Sequence, residues 1–351
     1  MTLDTDARAL LREPPSTRYQ GSKRKLLKWI GAKLHGIPFE TVLDCFGGTA
    51  SVAYLFKTWG KSVVCNDALR CNAEVAKALI EPPAEPLTED AIVRLLRPDS
   101  SRRYDDVISR NFSGIYFTDS ENAWLDVVAQ NIASLPVLQQ PRAYFALFQA
   151  CLRKRPYNLF HRRNLYMRTA DVQRGFGNKA TWDAPFEQHF RSALAELQQA
   201  EFDSDVPCRA TCGDALECAG EFDLVYIDPP YMNARGVGVD YQQFYHFLEG
   251  VVDYSYWESR IDRSRKHLPF RRVPCPWCDP AQIHQAFDQL FAQHARSILV
   301  VSYRSDGIPS GSELAALLRR FKPRVELLHY GKYQYALSKN RRSRELLLIG
   351  H

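Results

Sequence analysis

The sequence predicts an open, doubly wound α/β sheet whose chain is interrupted by a long insertion, and three observations predict it. Two short apolar runs, 41–45 (TVLDC) and 222–227 (FDLVYI), read as strands, the second fit for a sheet covered on both faces. The chain opens with the order strand, glycine loop, helix, strand, acid, helix. Between residues 81 and 207 that order stops, and arginines, aromatics and prolines take over.

The elements follow in order. The run 41–45 carries Asp44 and gives way to Gly47 and Gly48. The segment behind it has helical apolar spacing at Val52, Leu55, Phe56 and Trp59, and Gly60 ends it. Residues 61–65 (KSVVC) form a second strand that closes on Asn66 and Asp67, and a helix runs on to Lys77. After the insertion come the strand 222–227, further strands at 297–303 (SILVVSY) and 344–349 (RELLLI), and a helix near 312–321. Residues 1–85 and 206–351 are thus expected to build one domain, split by an insertion at 86–205 about the size of a small separate domain.

Composition fits this reading. The 351 residues are 45% hydrophobic and 25% charged, as in ordinary globular proteins. A net charge of +6 permits nucleic-acid binding without requiring it. No apolar run reaches the roughly 18 residues of a membrane span, and the charged N-terminus lacks a secretory h-region. Nine cysteines at irregular spacings read as reduced thiols of a cytoplasmic protein. Cys275 and Cys278 have zinc-ligand spacing but no second pair, so a proline-stiffened loop is expected there and no metal.

Two constellations carry chemistry. Asp44, Phe46, Gly47, Gly48 and Thr49 lie at the carboxyl end of the first strand, where open α/β sheets bind ligands. Neither GxGxxG nor GxxxxGK is present, so a ligand without a pyrophosphate suits the loop; a plain strand-to-helix turn is the competing reading. Asp67, about twenty residues on, is placed to accept two ribose hydroxyls or to cap the helix behind it. The second constellation is Asp228-Pro229-Pro230-Tyr231, directly after the buried strand. An exocyclic amine is a poor nucleophile because its lone pair is delocalised into the ring. The Asp228 carboxylate and the Pro229 carbonyl can each accept one of its N–H groups and turn the lone pair toward a methyl donor. Pro229 and Pro230 hold the turn extended, and Tyr231 offers a flat face for a base.

These motifs resemble the D12 (Dam-like) class of N6-adenine DNA methyltransferases, which implies a Rossmann-like S-adenosylmethionine-dependent methyltransferase fold with an inserted target-recognition domain. Tyr19-Gln20-Gly21-Ser22-Lys23 resembles the family's N-terminal segment that packs over the cofactor. The glycine loop is similar to DxFxGxG, except that Ala50 stands where a glycine is usual. The resemblance implies cofactor contacts at Tyr19, Gly21, Ser22, Lys23, Asp44, Phe46, Gly47, Gly48, Thr49, Asp67 and Asp214, the last near the cofactor's adenine. The segment from Phe176 to Trp182 and the C-terminal SKNRRSRELLLIG also look typical of the family.

Residues 151–179 carry Arg153, Lys154, Arg155, Arg162, Arg163, Arg168, Arg174 and Lys179 against Asp171 alone, interleaved with aromatics and with Asn158 and Asn178. Phosphate contact and base reading on double-stranded DNA are expected of them; a solvated basic face is the alternative. Arg94, Arg97, Arg102, Arg103 and Arg110 form a second basic set, and Lys339, Arg341, Arg342 and Arg344 a third. An adenine in a duplex must be flipped out to reach the Asp228 loop. Residues 232–245 read as a loop able to close over it, although Tyr241, Phe244 and Tyr245 also have helical spacing. The resemblance further implies a restriction–modification or related defence setting, with a cognate endonuclease as possible companion. The rivals are an RNA adenine methyltransferase with the same chemistry and a non-catalytic DNA-binding regulator on a methylase scaffold.

Overall fold

The computed structural model describes residues 12–172, 179–332 and 343–351. The strands β1 (Thr41–Asp44), β2 (Ser62–Asp67), β3 (Cys208–Cys212), β4 (Leu224–Ile227), β5 (Ile298–Arg304), β6 (Val325–Lys332) and β7 (Arg344–Gly350) form one sheet in the order β3-β2-β1-β4-β5-β7-β6. The first five in that order are parallel; β7 runs antiparallel between β5 and β6. Chain order reverses beside β1, with Asp44 level with Tyr226 of β4, so the glycine loop and the Asp228 loop open side by side at this switch point.

Alternate side chains of the central strands feed two cores, as the twofold strand period requires. Val42, Leu224 and Tyr226 join one buried cluster; Leu43, Val225 and Ile227 join the other. The helices α1 (Leu27–Leu34), α2 (Ser51–Thr58) and α3 (Arg70–Ile80) supply the first cluster. The insertion leaves the sheet after α3 and returns at β3. Its helices α4 (Asp119–Ala133), α5 (Gln140–Arg153) and α6 (Phe186–Ala200) bury Leu125, Phe148 and Phe190 in the same cluster as Ile30 and Tyr54. The insertion therefore shares the core of the sheet. It is followed, beyond β4, by α7 (Tyr241–Val252), then α8 (Ile283–Gln293) and α9 (Gly311–Leu318), which cover the second cluster.

Two strands and the insertion's helices go beyond the sequence reading. The edge strand β3 (CRATC) is buried fully only at Cys208, and β6, on the opposite edge, is mostly exposed; neither carries an apolar run. The helix α5 is buried at every position from Pro141 to Leu152, so it shows no one-sided apolar stripe to read. No helix among the described residues is long and apolar enough to cross a membrane.

Candidate active site

A cavity of about 1440 Å³ opens at the carboxyl ends of β1, β2 and β4. Single-ligand pockets run to roughly 300–1,000 Å³, so this one has room for two ligands. Tyr19, Gly21, Ser22, Lys23, Asp44, Phe46, Gly47, Gly48, Thr49, Asp67, Asp214, Asp228, Pro229, Pro230 and Tyr231 all line it. The structure thus brings together every residue expected for the two motifs.

The glycine loop forms the floor of one half. A Cβ on Gly47 would collide with Cys65 Sγ of β2, so the glycine serves close strand packing. Gly48 is left-handed at φ +53°, and so is Ala50 at φ +54°. That conformation explains why a glycine is usual at the alanine's place; holding alanine there costs about 1–2 kcal/mol. Asp67 accepts from Gly48 N and Leu69 N, both at 2.8 Å. It therefore ties the loop to β2, while α3 starts one turn later without a side-chain cap. Burial raises its pKa, those two N–H groups pull it back, and it settles at about 6. Asp44 is almost fully enclosed, and its Oδ2 meets no hydrogen-bond partner among the described residues. Burial first, and then the charge of Asp228, push its carboxyl up to about 8. Ser22 Oγ lies 3.2 Å from Thr49 Oγ1, and Asp214 caps a short turn by accepting from Leu216 N at 3.0 Å.

Over this half lies a tyrosine stack. Tyr19 sits against Tyr245 with ring centroids 4.1 Å apart and against Tyr241 at 5.8 Å. Tyr245 Oη accepts from Gln20 N at 2.7 Å, and Gly21 has no Cβ where the Tyr241 hydroxyl lies. Tyr241 and Tyr245 are therefore helix residues of α7 that pin the N-terminal segment, and the loop ends at Asp240.

The other half centres on Asp228. Lys23 Nζ lies 2.7 Å from both of its carboxylate oxygens, 3.6 Å from Glu345 and 4.6 Å from the centre of the Tyr231 ring. Burial pulls the lysine's pKa down, but Asp228 and Glu345 outweigh it and leave it raised. Burial likewise raises Asp228, Lys23 opposes it, and the balance is about 6. Lys23, expected over the cofactor, is thus placed on the Asp228 carboxylate. Glu345, fully buried on β7, was not expected here. It accepts from Tyr231 Oη at 2.5 Å and from Ser302 Oγ at 2.7 Å, fixing the Tyr231 ring. The only trace of it in the sequence is an acid inside an apolar strand. Residues 273–278 add a third wall, including Cys275 and Cys278 on a short turn around the buried Trp277, which meets Phe46 edge-on at 4.9 Å. No group of three or more His, Cys, Asp or Glu that could hold a metal exists among the described residues.

The expected DNA-binding set divides. Four members have their charges engaged inside the protein. Arg153 Nη2 donates to both oxygens of Glu196 at 2.7 Å. Lys154 pairs with Glu121 at 2.6 Å and donates to Ala184 O. Arg168 holds both oxygens of the same Glu121, at 2.8 and 2.6 Å. Arg155 is fully enclosed between the rings of Tyr116 and Phe160 and donates to Leu159 O at 2.6 Å. By contrast Asn158 lines the cavity, and Arg162 and Arg163 are exposed beside it in the chain. Lys179 is exposed in a pair with Asp183. Arg174 and Asn178 lie outside the described residues, as do Phe176, Lys339, Arg341 and Arg342. In the second basic set Arg97 and Arg110 pair with Glu187 and Glu258, while Arg94 and Arg103 are exposed.

Comparison with known proteins gives concordant results. The sequence profile of the D12 class N6 adenine-specific DNA methyltransferase family matches residues 19–273. The type II methyltransferase M2.HphI of Haemophilus parahaemolyticus is 29% identical over 324 residues, covering 90% of each chain. The modification methylase LlaI of Lactococcus lactis subsp. lactis is 23% identical over 87% of this chain and 49% of its own. The type II methyltransferase M.FokI of Planomicrobium okeanokoites matches 32% of this chain at 29% identity, within 17% of its own length.

Proposed function

Because the chain belongs to the D12 class N6 adenine-specific DNA methyltransferase family, we propose that it transfers a methyl group from S-adenosylmethionine to N6 of an adenine flipped out of double-stranded DNA, as the modification activity of a restriction–modification system. The observation that carries this is the placement of Asp44 and Asp228 at the ends of two adjacent parallel strands, on one cavity with room for both reactants.

The cofactor's chemistry fits the glycine-loop half. Asp44 holds an orphaned, buried carboxylate oxygen there, and a ligand carrying an ammonium and a sulfonium would supply the missing positive charge. Asp67, Asp44 and the Ser22–Thr49 pair would hold it, with the Tyr19 stack above. When bound, S-adenosylmethionine supplies an electrophilic methyl group on a positively charged sulfur.

The acceptor half does the rest. Asp228 takes one N–H of the adenine amine and the Pro229 carbonyl the other, so the nitrogen lone pair is freed and aimed. Lys23 stands where that first N–H must arrive, and its ammonium opposes the positive charge the nitrogen gains on methylation. Glu345, 3.6 Å away, is the anion that receives the lysine as the amine takes its place. Tyr231, held by Glu345, presents its ring to the base. Once methylated, the nitrogen is acidic and Asp228 or water removes its proton.

Asp228→Ala tests the reading. Incorporation of tritiated methyl into DNA is expected to fall at least a hundred- to a thousandfold, as on loss of a positioned transition-state contact, while cofactor binding by calorimetry persists. Robust transfer by this variant would overturn the role of Asp228. Sequencing methylated DNA from an expressing host then identifies the modified base and its site.

A further inference from the structure

Removing Arg153, Lys154, Arg155 and Arg168 from the DNA contacts leaves a question of charge. A duplex that delivers a base into the cavity lays its backbone across the rim, and among the described residues of the 151–179 set only Arg162 and Arg163 are exposed without an acidic partner. We propose that the hairpin 261–270, with the residues up to Arg272, is a second DNA-backbone contact, set beside Arg162 and Arg163 on that rim. The proposal rests on the reading of the chain as a DNA methyltransferase.

Residues 260–272 (RIDRSRKHLPFRR) carry six arginines and lysines against Asp262 alone. They form a closed hairpin: Ile261 bridges Phe270, Asp262 N donates to Pro269 O at 2.7 Å, and Arg271 N donates to Arg260 O at 2.8 Å. Ile261 and Phe270 are buried, which anchors its base. One buried hydroxyl fixes its position. Tyr116 Oη lies 2.6 Å from Phe160 O and 2.7 Å from His267 O, so the backbone next to Lys266 is held against the backbone two residues before Arg162. Both segments also run into the cavity wall, one at Asn158 and the other at Val273. The two basic stretches, about a hundred residues apart in sequence, thus form one surface at the mouth of the site.

The charges on it differ in availability. Arg260 is engaged by Asp253 and lies over the Phe270 ring, Arg263 is shared by Glu258 and Asn111, and Arg271 donates to Ser259 O. Lys266 and Arg272 are exposed and have no partner among the described residues, and Arg265 reaches Asp262 only at 3.6 Å. These three can each meet a phosphate. Because the hairpin is already ordered, little freedom is lost when they do.

The test is the full chain with Arg265→Ala, Lys266→Ala and Arg272→Ala combined, binding a random-sequence duplex across a salt series. Phosphate contacts are independent of sequence, so the unknown target site does not matter. Loss of three contacts is expected to make the plot of log affinity against log salt shallower by about 2.7, at about 0.9 per contact. Arg162→Ala with Arg163→Ala should flatten it by about 1.8 in the same way. The single variant Lys266→Glu, at an exposed position with no partner, repeats the test should the triple variant fail to fold. An unchanged slope in a chain that still methylates DNA overturns the hairpin's role and leaves the enzyme assignment standing. An unchanged slope with a changed affinity for an acidic protein would instead make the surface a protein-docking site. A wild-type chain that neither binds nor methylates DNA overturns both.

Discussion

Residues 151–179 and residues 260–272 are both dense in cations, yet the fold uses them in opposite ways. In the first stretch Arg155, Lys154 and Arg168 are buried and Arg153 is nearly so; in the second Arg265, Lys266 and Arg272 stand in solvent. The difference lies in what each stretch leaves from. The first begins on α5, a helix buried all round, so its flanking cations are carried inside and need partners there. Those partners, Glu121 on the first turn of α4 and Glu196 on α6, are some thirty to fifty residues distant and are invisible to a count of local charge. The second stretch is a hairpin buried only at its base, at Ile261, Pro269 and Phe270. What the pair teaches is that arginine density locates a nucleic-acid surface only after the counter-charges are placed.

The largest expected effect that could break this contrast is on stability. Arg155 has no acidic partner among the described residues; its guanidinium lies 4.4 Å and 4.3 Å from the Tyr116 and Phe160 ring centres and ties down Leu159 O. Burial lowers its pKa to about 10. Arg155→Ala should cost roughly 3–5 kcal/mol through the cavity and the carbonyls left unpaired, measured by urea unfolding. Arg155→Met, which restores most of the volume, should recover part of that loss. Arg272→Ala should stay within about 0.5 kcal/mol of the parent. Equal losses at the two positions would erase the distinction between the stretches.

A smaller effect sharpens it through pH. Burial alone would raise Glu121, but Arg168 and Lys154 overcome burial and bring its carboxyl down to about 2. A carboxylate whose pKa is lower in the folded than in the unfolded chain stabilises the fold fully above its unfolded value. That stabilisation drains as pH falls from there toward 2. The amount is on the order of 2 kcal/mol once solvent screening of this partly exposed cluster is allowed for. Glu121→Gln is expected to flatten the acid limb of stability against pH in that window. An unchanged acid limb would mean that the cluster is not what holds these cations inward.

How far the sequence reveals the molecule follows the same line between local and distant information. The β1 loop and the Asp228 loop are legible because each consists of a buried apolar strand followed by its own motif, and the switch-point rule brings the two together. The edge strands β3 and β6 are not legible, since a half-exposed edge needs no apolar run. The helix α5 is hidden for the opposite reason, being apolar on every side. In the site, Lys23 is recognisable as a motif residue, but its place on Asp228 depends on β7 and Glu345 more than three hundred residues later. The Tyr19 stack needs the helical reading of Tyr241 and Tyr245, and its spacing is present in the sequence. The basic hairpin is open to a count of charge at 260–272, where six cations stand against Asp262 alone.

The smallest expected effect is the most exacting for the contrast. Arg153 belongs by sequence with the DNA-facing residues, and at 16% side-chain exposure it is the least enclosed of the four that the structure turns inward. Its guanidinium meets both oxygens of Glu196 at 2.7 Å, with Ser192 Oγ at 3.2 Å. A phosphate would have to displace a carboxylate whose two oxygens already meet Nη2, trading one charge-assisted pair for another with little gain. Arg153→Ala should therefore lower stability by no more than about 1 kcal/mol and leave the salt slope of DNA binding where it was. Arg162→Ala, nine residues on and exposed, should remove about 0.9 from that slope. If the Arg153 variant flattened the slope as much, the Glu196 pair would have to open on DNA, and burial in the free protein would no longer separate structural cations from binding ones.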